Sequence, residues 1–145
     1  MFENLKQRYQ NAKEKHQKLR DAKRQLNENI KTVKRLVQAY DETIADIRKT
    51  LDQESHAATT REALDQSWWK ALKSRDKALD SLVAHLKELQ EIYKAYQNQG
   101  GSKRYDVEDL LDVKQYQYSD NVRGLVAELE LIGQIVANMK QTNID

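Results

Sequence analysis

The chain predicts an all-α fold of long antiparallel coiled-coil helices, forming a helical hairpin or a three-helix bundle, and three observations carry that expectation. A heptad stripe runs almost unbroken through the first fifty residues, proline is absent with only four glycines in 145 residues, and one strong breaker interrupts the chain at Asn98-Gln99-Gly100-Gly101-Ser102. A charged fraction of 33% and a mean hydropathy of -0.94 fit a thin bundle, because a narrow stack of helices encloses few positions fully. The expected organisation is a single helical coiled-coil domain over residues 1–145, with helices at about 2–52, 60–98 and 105–140.

The first helix is read from Phe2, Leu5, Tyr9, Ala12, His16, Leu19, Lys23, Leu26, Ile30, Val33, Val37, Tyr40, Ile44, Ile47 and Leu51, which alternate steps of three and four. That spacing averages 3.5 residues and holds one seam toward a partner helix, over a length on the order of 75 Å. His16 and Lys23 are its polar members. A polar residue at a seam position more often sets register than performs chemistry, so both are candidate register-setting contacts. Beyond Leu51 the stripe would place Glu54, Arg61 and Asp65 in the seam, which predicts a turn or a bend near residues 54–59. Thr59 with Glu62 fits a capping box opening the next helix.

The second helix carries Leu64, Trp68, Leu72, Arg75, Leu79, Leu82, Leu86, Leu89, Tyr93 and Tyr96 at the same spacing. Gly100 or Gly101 can take the left-handed position that ends a helix and lets the chain reverse. The third helix is expected to open near Asp106, whose carboxylate with Glu108 and Asp109 suits the positive helix end, and to carry Leu111, Tyr118, Val122, Leu125, Leu129, Ile132, Val136 and Met139. A second, weaker stripe on each later helix predicts more than one neighbour, inside a bundle or across a homo-oligomer. Trp68 falls in phase with the seam. Trp69 lies about 100° further round, so the pair are candidate anchors for core or interface.

Charge divides along the chain: residues 1–50 hold 13 Lys/Arg against 7 Asp/Glu, whereas residues 105–145 hold 3 against 8. This predicts a basic first helix lying beside an acidic last one; the competing use of the basic helix is binding to nucleic acid or an anionic membrane. No cysteine is present, which excludes disulfides, thiolate nucleophiles and Cys-based zinc sites. His16, His56 and His85 are far apart and lack ligand spacing, and Gly100-Gly101 lacks the spacing and preceding strand of a phosphate loop. The sequence therefore points to no catalytic residue, no cofactor and no metal, and to a chain that is not an enzyme. No apolar run approaches the roughly 20 residues of a membrane helix, and the N-terminus does not read as a secretory signal. As written, the expectation is a cytoplasmic protein.

The run Trp69-Lys70-Ala71-Leu72, Lys94-Ala95-Tyr96-Gln97, the glycine turn and then Tyr105-Asp106-Val107-Glu108-Asp109-Leu110-Leu111-Asp112-Val113 resembles the second half of a TolC-like outer-membrane efflux or secretion channel over residues 64–140. In that family a long helix ends at a glycine-containing periplasmic tip followed by a D-[VL]-L-[DN]-A type motif. Here Asp109-Leu110-Leu111-Asp112 holds that place, with Val113 where alanine is usual. The resemblance implies a periplasmic helical segment whose tip (Gly100, Gly101, Ser102, Tyr105, Asp106, Leu110 and Leu111) meets a helical protein partner. Barrel strands and a signal peptide are missing from the pattern. The functional expectation is a non-enzymatic assembly or interaction protein, with a cytoplasmic adaptor, stalk or chaperone-like protein as the second reading and the basic-helix binder as the third.

Overall fold

A computed structural model describes residues 2–141, and the fold is all-α. The elements are α1 (Phe2–Ala57), α2 (Arg61–Asn98), α3 (Tyr105–Leu111), α4 (Lys114–Gln117) and α5 (Asp120–Gln141). The helices α1 and α2 pack against each other. A connection of three residues leaves them antiparallel neighbours.

That connection is a turn and not a bend, and its cap differs from the sequence expectation by one residue. Thr60, not Thr59, stands before α2: its Oγ1 accepts the Ala63 amide at 3.1 Å and its carbonyl accepts the Leu64 amide at 3.2 Å. With Thr60 as the cap, the third helical position is Ala63 and the reciprocal glutamate of a capping box is missing. The single helix expected over 105–140 is also corrected, because three helices occupy that span. Asp112 takes an extended conformation (φ -74°, ψ 98°), and Tyr118 leaves the helical region at φ -125°. The chain restarts at Ser119, whose Oγ accepts the Val122 amide at 3.4 Å and whose carbonyl accepts the Arg123 amide at 2.9 Å. These breaks shift the phase: Tyr118, expected in the seam, is 66% exposed, while Tyr116 of the weaker stripe is 4% exposed.

The packing forms two compact units, each drawing on separate stretches of chain. One takes residues up to Arg35 together with Ala84–Asp112; the other takes Leu36–Val83 together with residues from Val113 onward. In the first unit Leu26, Ile30 and Val33 of α1 are buried with Leu86, Leu89, Tyr93 and Tyr96 of α2 and Val107 of α3. In the second, Tyr40, Ile44 and Leu51 of α1 are buried with Leu64, Ala71 and Leu82 of α2, Tyr116 of α4, and Val122, Leu125, Leu129, Ile132 and Val136 of α5. The second unit also joins basic α1 to acidic α5 through Arg48 and Glu128, Nε to Oε1 at 3.1 Å.

Candidate interaction surface

The first unit has two parts that sequence reasoning treated separately, the reversal after α2 and the N-terminal stretch of α1. The reversal is built by backbone geometry. Gly100 has φ +93° and donates to the Gln97 carbonyl at 3.0 Å, while Gly101 donates to the Tyr96 carbonyl at 3.0 Å. These are the paired bonds of a Schellman ending, with Gly100 in the left-handed position. Gly101 lies so close to the Tyr96 ring that a Cβ there would stand 2.5 Å from it. The Tyr93 and Tyr96 rings stack at 6.4 Å, and the Tyr96 hydroxyl lies 3.4 Å from Ser102 Oγ.

Arg104 fastens the reversal and was not singled out from the sequence. Its amide donates to the Tyr93 hydroxyl at 2.8 Å, its Nε and Nη2 grip both Asp106 oxygens at 3.0 and 2.8 Å, and its Nη1 reaches Asn27 Oδ1 at 3.2 Å. The guanidinium beside Asp106 holds that carboxyl below its ordinary range, first through the hydrogen bonds. A sequence signal existed in the Arg104-x-Asp106 spacing at a helix start; the contact to Asn27, 77 residues away, had none. Of the predicted tip residues, Gly100, Gly101, Ser102 and Asp106 are therefore brought together by the turn. Tyr105 is exposed under the Lys103 ammonium, 5.0 Å from the ring centroid, whereas Leu110 and Leu111 are half-buried.

Toward its N-terminus the cover of α1 thins past the buried Leu26 and runs out beyond the half-buried Leu19. From residue 2 to residue 18 every position is exposed, including Phe2 at 81%, Leu5 at 57% and Tyr9 at 71%. The heptad stripe thus persists as helix for about 25 Å beyond the part of it that unit 1 encloses. Two side-chain bonds at i, i+4, Gln7 to Asn11 at 3.2 Å and Gln17 to Asp21 at 3.1 Å, support this stretch locally. His16 and Lys23, the polar members of the seam, are both exposed in the single chain.

The tryptophans belong to the second unit. Trp68 is half-buried and donates from Nε1 to the Leu129 carbonyl at 2.8 Å, while Trp69 meets it edge-on at 5.0 Å and stays half-exposed at 49%. Trp68 is thus an anchor between α2 and α5, and Trp69 extends that anchor to the surface. A groove of about 310 Å³ between α1 and α2 in this unit is lined by Thr43, Ile47, Leu51, Ser67, Ala71 and Ser74. Asp46, Glu54 and Lys70 also line it, and Lys70 Nζ pairs with Glu54 Oε1 at 3.1 Å. Among the described residues no group of three His, Asp or Glu could hold a metal ion, and no helix is long and apolar enough to cross a membrane. The His56 ring sits against the Asp52 carbonyl through Nδ1 at 2.7 Å, a helix-end contact.

No family model, curated protein or solved structure matches this chain.

Proposed function

We propose that this chain is a non-enzymatic helical interaction protein, which docks a protein partner along the uncovered seam of α1. The observation that carries the reading is the exposure of Phe2, Leu5 and Tyr9 in unbroken helical phase with the buried Leu26, Ile30 and Val33. A solvent-facing helix has no need of seam periodicity, since burial is what gives that periodicity its energetic return. At about 25 cal/mol per Å², covering such side chains supplies the drive for association. The reversal at residues 100–104 borders the same seam through the Arg104 to Asn27 contact, so a docked helix would abut the turn.

A narrower version of this reading follows the TolC-like resemblance, with the turn as a periplasmic tip meeting an adaptor. The observation favouring it is the tightly built glycine reversal; a parent gene encoding a signal peptide and strand-rich flanks would support it, and one lacking both would remove it.

The test of the docking reading is positional. A photo-crosslinking residue placed at Leu5 or Tyr9 in cells expressing the full chain should give a discrete adduct, while one at Gln7 or Glu14, on the opposite face, should give none. Equal labelling at all four positions would overturn the reading. Light scattering on the same protein reports whether the adduct reflects a second copy, since a single chain weighs 17.0 kDa.

A further inference from the structure

The uncovered seam specifies the charge of what covers it, an inference that rests on the docking reading above. Written as heptads, Phe2, Tyr9 and His16 take position a and Leu5, Ala12 and Leu19 take position d. The flanking e positions are then Lys6, Lys13 and Arg20, and the g positions are Arg8, Lys15 and Ala22. Every charged flank is basic. The three carboxylates of the stretch, Glu3, Glu14 and Asp21, fall at b and f on the far side. In a parallel pair of copies g would face e, and in an antiparallel pair g would face g and e would face e; both bring Lys/Arg against Lys/Arg. Self-pairing through this seam is therefore opposed in either orientation.

Stripe width separates a helix partner from a lipid surface. Two seam positions per heptad, one of them the polar His16, make the narrow stripe of a coiled-coil seam, whereas a helix lying in an interface presents a broader apolar face. The seam is also continuous in phase with Leu26, Ile30 and Val33, which already receive helical cover from α2.

We infer that residues 2–20 of α1 form one half of a heteromeric coiled coil, whose other half is an amphipathic helix of about three heptads with Asp or Glu at its own e and g positions. The polar His16 then lies inside the paired seam, at a position where a polar side chain sets register.

The test uses the full chain and two synthetic three-heptad peptides, alike in an Ile/Leu seam but carrying Glu or Lys at every e and g position. Titration calorimetry at low salt should show the Glu-flanked peptide binding at least tenfold tighter than the Lys-flanked one. The variant K6E/R8E/K13E/K15E should reverse that order, and its helicity, read by circular dichroism, verifies that it folds. Equal binding of both peptides would overturn the charge inference and leave the docking reading standing. Binding of neither would overturn both. Tighter partitioning onto phosphatidylserine vesicles than onto the Glu-flanked peptide would replace the helix partner with a membrane, and a doubled mass of the unmodified chain that is lost in Leu5→Asp would replace it with a second copy.

Discussion

Thr60 shows how much one side chain decides at a connection without glycine or proline. Its Oγ1 satisfies the Ala63 amide, one of the donors a helix start leaves unpaired. Thr60→Ala should lower unfolding stability by about 1 kcal/mol, while Thr59→Ala changes it little; chemical denaturation of the two variants checks the assignment. Tyr40 is a second such residue. Its hydroxyl donates to the Tyr116 carbonyl at 3.2 Å and holds α4 against α1 inside the second unit. Burial pushes its pKa up from 10.0, against an opposing pull from Arg75, so the folded state favours the neutral phenol. A raised pKa contributes stability that is whole below the unfolded value and is lost as pH climbs from about 10 toward the folded one. Tyr40→Phe should cost about 1 kcal/mol at neutral pH through the lost hydrogen bond, and should flatten the decline of thermal stability above pH 10. A decline of the same steepness in the variant would assign the alkaline sensitivity to other tyrosines.

The seam of α1 has one periodicity and two environments along a single element. Leu26 is fully buried and Leu5 is 57% exposed, although both occupy d positions. Leu26→Ala should therefore destabilise by about 2–5 kcal/mol and Leu5→Ala by less than about 0.5, as read from denaturation midpoints. Comparable losses would mean that Leu5 is covered in the isolated protein. The seam itself was legible in the sequence, as was the glycine reversal, because period and left-handed geometry are local properties. Which turns of the seam are enclosed was not legible, since that depends on where α2 and its turn end relative to α1. The breaks between α3, α4 and α5 were missed for a related reason. Leu111, Tyr118 and Val122 keep a helical spacing that masks Asp112 and Ser119, two residues suited to ending or starting a helix. The competition was resolved by burial of Tyr116, a tertiary gain that overrode the apparent period. The Arg104 contact to Asn27 was illegible because that partner lies on another helix, whereas the Arg104-x-Asp106 spacing was present in the sequence.

At the scale of the molecule, the distribution of buried side chains sets a gradient of local stability along α1. A helix of 17 residues with no tertiary cover relies on propensity and i, i+4 pairs, which leave isolated helices marginal in water. Residues enclosed around Leu26, Leu89 and Val107 in one unit, and around Ile44 and Leu125 in the other, open only with their cores. Hydrogen exchange followed by mass spectrometry should consequently show amides over residues 5–18 exchanging with opening free energies near zero, while those near Ile44, Leu89 and Leu125 approach the global value. Helicity of the exposed stretch and its exchange are separable, because rapid opening and closing leaves the average helix content high. An occupant of the seam changes one side of this balance: it converts the marginal helix into an enclosed one, and protection over residues 5–18 rises with occupancy. Core-like protection over residues 5–18 in the isolated chain would instead show that these turns are already enclosed, and it would remove the physical basis for a docking role.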